Sequence, residues 1–292
     1  MNHPAELTLA KYMTDAANGD AIMSDETIKK IGEDIVDALK RQFGGGTKRG
    51  KFGLRMSNIG KPSCQLWFQK NQPKKAAPLP SNFVMNMMLG DVVEAIFKGL
   101  LTEAKVTFGD SEKVELEIPE ENIKIKGTYD ISINGAVDDI KSASDWSYRN
   151  KFKSFATVKE HDSFGYVGQL AGYALASGLK PGGWWVVNKA NGSFKYISAD
   201  GIDMMREKYN IDKTVKDVNS EELIRCFDPI DEIFNGKATG NKILGNECSW
   251  CSYKHACWPT LQELPALKSR AKEPKTVSYV HIKEEDNDER VS

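Results

Sequence analysis

IKIKGTYDISINGAVDDIK, residues 123–141, decides the fold of this chain. From Ile123 to Ile133 apolar and polar residues alternate. Ile123, Ile125, Tyr129, Ile131 and Ile133 fall on one face and Lys124, Lys126, Thr128 and Asp130 on the other, the period of a half-buried strand. Asn134-Gly135 is the residue pair of a two-residue hairpin turn, so AVDDIK at 136–141 is expected to return antiparallel. Asp139 and Lys141 are two apart on the returning strand and leave the same face, whereas Asp138 leaves the other. The turn also brings Asp130 close. Two carboxylates beside an ammonium are a costly arrangement unless a divalent cation joins them, which makes Asp130 and Asp139 candidate Mg²⁺ or Mn²⁺ ligands.

Working outward, SFGYVGQLAGYALASG (163–178) reads as a helix with Gln169 and Tyr173 four apart on one face. GGWWVVNKANGSFKYISAD (182–200) then reads as a hairpin turning at Asn191-Gly192. Upstream, the apolar run from Asn82 to Leu101, with Gly90 and Glu94 inside it, predicts a helix buried on most sides, and Glu94 is a third acidic candidate. Residues 24–43 place Ile28, Ile31, Ile35, Leu39 and Phe43 at helical spacing behind Ser24 as a cap. GGGTKRG (44–50) cannot continue that helix. The expected organisation is an N-terminal helical extension and linker over 1–50, a main domain over 51–263, and a charged, mobile tail over 264–292.

Apolar residues make up 40% of the 292 and charged residues 28%, ordinary for a globular protein and too apolar for a disordered one. The formal net charge of −1 supplies no general attraction for polyanions, so contact with nucleic acid has to come from local basic patches. One such patch is WSYRNKFKSF (146–155). It interleaves Trp146, Tyr148, Phe152 and Phe155 with Arg149, Lys151 and Lys153, cations that follow phosphates and rings that stack on unpaired bases. An amphipathic helix with core aromatics explains the same stretch equally well. Lys48, Arg49, Lys51 and Arg55 form a second basic group. The first twenty residues lack a basic start followed by an apolar stretch, and no run has the length of a membrane span, so the expectation is an intracellular, cytoplasmic protein with no membrane partner.

Five cysteines without a leader segment point to metal ligation over disulfides. Cys248, Cys251 and Cys257 have the spacing Cys-x2-Cys-x5-Cys, and Cys64 lies far upstream. Four thiolates suit Zn²⁺ or an iron–sulfur cluster. Cys226 has no partner spacing and reads as a core residue.

GTYD at 127–130, DIK at 139–141 and QLAGY at 169–173, in that order, resemble the RecB-type branch of the PD-(D/E)XK nucleases over roughly residues 50–260. The resemblance implies an α/β fold with a central mixed sheet flanked by helices. It implies Asp130, Asp139 and the Ile140 carbonyl as metal ligands, Lys141 as catalytic, and Gln169 and Tyr173 as supports for DNA or the lysine. RecB-type nucleases usually carry Gly-x3-His on the early helix. Here the sequence is Gly90-Asp91-Val92-Val93-Glu94, with an acid in the histidine's place as in phage lambda exonuclease-like relatives. The cysteine pattern is similar to that of the AddB nuclease domain and CRISPR-associated RecB-like exonucleases. It implies a 4Fe-4S cluster on Cys64, Cys248, Cys251 and Cys257 that joins the N- and C-terminal parts, with zinc as the alternative. The implied activity is a metal-dependent exonuclease acting on single-stranded DNA or DNA ends with 5′-to-3′ polarity, in the host cytoplasm if a phage encodes it. Alternatives are an endonuclease of the same chemistry and a non-catalytic DNA-binding or assembly subunit.

Overall fold

The computed structural model describes residues 3–44, 52–266, 269 and 271–283. Lys48, Arg49 and Lys51, the glycine-rich connection beyond Gly44, and the last nine residues of the charged tail lie outside the described residues. Along the chain come α1 (Pro4–Asn18), α2 (Asp25–Phe43), α3 (Ser63–Asn71) and α4 (Phe83–Glu103), followed by β1 (Glu112–Ile118), β2 (Ile123–Tyr129), β3 (Ile131–Ile133) and β4 (Ala136–Ala143). Short helices α5 (Asp145–Arg149) and α6 (Phe155–Glu160) lead to α7 (Tyr166–Ser177), the hairpin β5 (Lys180–Asn188) and β6 (Phe194–Ser198), and α8 (Met204–Asn219). The chain continues through β7 (Ile230–Phe234), β8 (Lys237–Ile243), α9 (Asn246–Ser249), α10 (Lys254–Cys257), β9 (Gln262–Pro265) and β10 (Thr276–His281). The protein is mixed α/β. It divides into two compact units, Met1–Lys61 with Leu79–Val215, and Pro62–Pro78 with Lys216–Ser292. No helix among the described residues is long and apolar enough to cross a membrane.

The first unit is built on a four-stranded sheet of order β3-β4-β5-β6, in which β4 and β5 run parallel and the outer pairs antiparallel. One face packs Val137, Trp184 and Val186 against Leu170 and Tyr173 of α7. The other packs Ile140 and Trp185 against Phe97 and Leu101 of α4 and Leu9 of α1. Burial on both faces explains why Gly182–Val187 reads as an unbroken run without alternation. Asn134 and Gly135 both take positive φ, 51° and 76°, as the predicted hairpin turn requires.

Four expectations from the sequence need correction. The alternating run 123–133 is not one strand: β2 pairs with β1 in a two-stranded ribbon, β3 pairs with β4, and the chain changes sheet at Asp130. Ile125 and Tyr129 therefore join the α7 core, while Ile131 and Ile133 join the α4 core. In α2 the packed positions include Thr27 and Ala38, and Ile28, Leu39 and Phe43 are exposed. Gly99 of α4 sits against Ile31 and Thr27, where a Cβ would lie 2.4 Å from Ile31 Cδ1, so close approach of the two helices selects the buried positions. The first turns of α4 are open, with Phe83, Val84, Met85, Met87 and Leu89 exposed.

The fourth correction concerns the tail. In the second unit β10 belongs to a four-stranded sheet of order β7-β8-β10-β9. Tyr279 is buried there and its hydroxyl donates to Glu232 Oε1 at 2.6 Å. Val277, Tyr279 and Val280 are concentrated in six residues, a local strand signal that the charged composition of the whole tail hides.

Candidate functional site

The switch from β2 to β3 brings Asp130 against the middle of β4, where its Oδ2 accepts the backbone N–H of Ile140 at 2.7 Å. On the α7 side of β4, Lys141 Nζ lies 2.6 Å from Asp139 Oδ2 and donates to Gln169 Oε1 at 3.3 Å. The same ammonium stands 4.7 Å from the centre of the Tyr166 ring. Asp130, Asp139, Lys141 and Gln169 thus share one locality. Tyr173 lies in the core beside them, edge-on to Tyr129 with ring centres 6.5 Å apart. Burial pushes its phenol up to about 12, while Gln169 pulls the other way. At Ile140 the engaged atom is the N–H; the side chain is buried on the α4 face.

Burial lifts the Asp130 carboxyl well above the usual range, and the charges of Asp139 and Glu94 lift it further. Asp139 is raised by burial and by Glu94, with Lys141 opposing. For Lys141 burial works against the ammonium, but Asp139 and Asp130 outweigh it and the net shift is upward. The buried Asp139 Oδ2 is engaged by the Lys141 ammonium in a close ion pair. Repulsion among the carboxylates of Asp130, Asp139 and Glu94, which Lys141 offsets in part, is what a hard divalent cation would relieve further. Glu94 is held by Lys98 at 2.8 Å, and Lys98 also donates to Ser111 Oγ at 2.5 Å. Ser111 in turn donates to the Asp130 carbonyl at 3.2 Å. With Glu94 and Asp139 each taken up by a lysine, no group of three or more His, Cys, Asp or Glu side chains is drawn together as a ready-made metal site among the described residues. The acids sense one another's charge without converging on one point.

Asp138 occupies the opposite face, as its position in the strand predicts, accepting from Tyr196 Oη at 2.8 Å and Trp185 Nε1 at 3.3 Å. In the aromatic and basic stretch, Trp146, Arg149 and Lys153 are exposed, and Arg149 pairs with Asp145 at 2.9 Å. Tyr148 lies under Lys195 Nζ at 4.1 Å, and Phe152 is core. Lys151 is buried, with Nζ 4.1 Å from the Tyr166 ring centre and 5.2 Å from that of Phe164. Burial pushes its ammonium down to about 8, and the charge of Lys141 adds to the shift. Arg55 is exposed.

Two residues at this site escape a reading of the sequence. Tyr166 serves both lysines. Asp162 caps α7, accepting the N–H of Tyr166 at 2.7 Å and of Val167 at 2.9 Å. An acid a few residues before a helix is a readable capping signal, but nothing local marks Tyr166 as a ring between two ammonium groups.

The cysteines lie in the second unit, all free and partly exposed. Cys64 is in the first turn of α3, Cys248 lies in α9 and Cys257 ends α10. Cys251 and Cys257 pack against the cluster of Trp67, Phe68 and Tyr253. Cys226 is not a core residue: its sulfur accepts the backbone N–H of Cys64 at 3.1 Å and lies 3.4 Å from Ser63 Oγ. Hydrogen bonding between the two cysteine side chains lowers the Cys226 thiol and raises that of Cys64. Burial pushes Cys248 up to about 12, with Cys251 and Cys257 adding.

No protein-family model and no curated protein matches this chain. Among solved structures it is similar to one described as the crystal structure of SSO0001, with 12% identity, 81% of this chain and 98% of that chain covered, and a TM-score of 0.42.

Proposed function

We propose that the chain is a metal-dependent deoxyribonuclease with a PD-(D/E)XK core, acting on single-stranded DNA or DNA ends in the cytoplasm. The observation that carries this reading is the grouping of Asp130, Asp139, Lys141 and Gln169 around one edge of a mixed sheet flanked by helices. Asp130 and Asp139 would hold Mg²⁺ or Mn²⁺, with Glu94 available once it leaves Lys98 and the Ile140 carbonyl as a fourth oxygen. When bound, the metal supplies Lewis acidity toward a phosphodiester and lowers the pKa of an attacking water. Lys141 keeps its proton at neutral pH, since Asp139 and Asp130 stabilise the ammonium. It can therefore stabilise negative charge developing on the phosphate. Gln169 and the Tyr166 ring limit where that ammonium goes, and Trp146, Arg149 and Lys153 offer a surface for an unpaired strand. The resemblance adds 5′-to-3′ exonuclease polarity.

In the second unit, the donor set of Cys64, Cys248, Cys251 and Cys257 suits a 4Fe-4S cluster or Zn²⁺ in a structural role. The packing of Cys251 and Cys257 in one cluster with Trp67, Phe68 and Tyr253 supports that reading, while no three of these thiols are drawn together among the described residues. The pairing of Glu94 with Lys98 favours a second reading, a non-catalytic DNA-binding subunit. End-labelled single- and double-stranded DNA incubated with Mn²⁺ separates the two. Cleavage by the wild type and none by Lys141→Ala fits the nuclease, whereas metal-independent binding without cleavage fits the subunit.

A further inference from the structure

We propose that Lys151 is a phosphate-binding residue of the candidate centre, holding one phosphate of a bound DNA strand against the Tyr166 ring that it shares with Lys141. The inference rests on the reading of this centre as a DNA site and deepens it, without depending on a metal. In the sequence Lys151 belongs with the cations of 146–155, but the structure separates it from exposed Arg149 and Lys153. Its carbonyl accepts the Thr157 hydroxyl at 2.8 Å, and Thr157 with Ser154 forms the capping box of α6, so the turn that carries the side chain is fixed. Lys151 is only 5% exposed. Its Nζ lies 4.1 Å from the Tyr166 ring centre and 5.2 Å from that of Phe164, while Lys141 Nζ lies 4.7 Å from the same Tyr166 centre. The two ammonium groups are therefore neighbours on one ring.

The acids near this pair are already engaged. Asp139 holds Lys141 at 2.6 Å. Asp162, whose charge reaches Lys151, accepts the N–H of Tyr166 on one oxygen and that of Val167 on the other. Among the described residues Lys151 Nζ has neither an ion pair nor a hydrogen bond, only ring faces. Such a buried cation is costly, and the rings compensate it in part. What the arrangement lacks is an anion. A phosphate supplies one, with oxygens that accept directly from an ammonium. Trp184 Nε1 is a polar atom sealed from solvent without a partner, whereas Lys151 Nζ is not, so an anion has access to it. A purely structural role fits poorly, because a methionine would fill the same cage of rings without the burden of a charge.

The test measures binding of end-labelled single-stranded oligonucleotides to the full-length protein at pH 7 in EDTA, where no metal-dependent cleavage intervenes. The oligonucleotides carry one neutral methylphosphonate linkage at successive positions, or lack the 5′-phosphate. In the wild type, neutralising the phosphate that Lys151 holds should weaken binding about tenfold or more, the scale of one charge-assisted hydrogen bond. Lys151→Met should weaken binding of the unmodified strand by a similar factor and reduce the logarithmic salt slope by about 0.7. In that variant the methylphosphonate at the same position should cost less than about twofold, since the pair that it breaks is already absent. The coupled position distinguishes an internal phosphate from a terminal one. Thermal melting checks folding, and Lys151→Gln is read in its place should Lys151→Met melt early. Unchanged affinity in the folded variant overturns the proposal. So does a weakened variant that keeps the full methylphosphonate effect at every position, which marks Lys151 as structural, and so does a wild type that binds no single-stranded DNA. Cleavage in Mn²⁺ is scored separately: its absence with the coupling intact removes the nuclease reading and leaves Lys151 as a phosphate contact of a binding subunit.

Discussion

Asp130 Oδ2 and the backbone N–H of Ile140 are joined by a 2.7 Å hydrogen bond at the point where the chain passes from one sheet to another. One carboxylate thus ends the ribbon strand, satisfies a β4 donor and offers oxygen to the site. Asp130→Asn keeps an acceptor for that N–H and removes a charge repelled by Asp139 and Glu94. Its stability should equal or exceed that of the wild type, with cleavage lost. Asp130→Ala leaves the donor unsatisfied and should cost about 1–3 kcal/mol. Urea unfolding of both variants checks the contrast, and equal losses would contradict it.

The Lys141–Asp139 pair is largely enclosed, with side-chain exposures of 17% and 4%. Removing one member of a buried pair costs about 3–5 kcal/mol, while replacing both by uncharged groups is often close to neutral. Lys141→Met should therefore destabilise the metal-free protein, and Asp139→Asn/Lys141→Met should recover most of the loss, both without activity. A double variant no more stable than Lys141→Met would show that the pair is not an energetic unit.

Lys151 is an ammonium among aromatic rings, with its folded pKa pushed down to about 8 from 10.5. A depressed folded pKa means that this group's contribution to stability is present above about 10.5 and is lost as pH falls through about 8. At pH 7 the charged form is the burdened one. Lys151→Met should raise stability there by about 1–2 kcal/mol, less than the full shift implies because the rings and residual water compensate the charge. The gain should shrink between pH 8 and 10.5, read from denaturation midpoints across that range. A gain independent of pH would show that packing, and not desolvation, is responsible.

How much of this was legible in the sequence differs from residue to residue. The turn at Asn134-Gly135 could be read because positive φ at two successive positions restricts the residue types to a few. The opposite-facing placement of Asp138 and Asp139 follows from strand period alone. The break at Asp130 could not be read, since alternation continues across it and the strands that separate β2 from β3, namely β1 and β4, lie elsewhere in the chain. Lys151 shows a basic residue in the sequence and a buried one in the structure, because its burial depends on Phe164 and Tyr166 from a later segment. Cys226 went unread for the same reason: its partner is 162 positions away.

Gly60 and Gly165 touch backbone to backbone, and a Cβ at Gly60 would lie 2.2 Å from the Gly165 carbonyl oxygen. Gly165 also has φ +77° at the start of α7, the helix that presents Tyr166 and Gln169. Gly60→Ala should cost about 1–3 kcal/mol by overpacking and should lower cleavage through displacement of α7. Thermal melting and turnover measured on the same preparation check it. Unchanged stability would mean that the contact is loose.

The central claim, that Asp130, Asp139 and Lys141 form a phosphodiester-cleaving centre, is tested most directly by single-turnover cleavage of 5′-end-labelled single-stranded DNA in Mn²⁺. The comparison is wild type against Asp139→Asn and Lys141→Ala, each checked for folding. Loss of at least about a hundredfold in rate is expected for both variants, the scale of removing one preorganised charge-stabilising group. Cleavage by either variant at the wild-type rate would contradict the account.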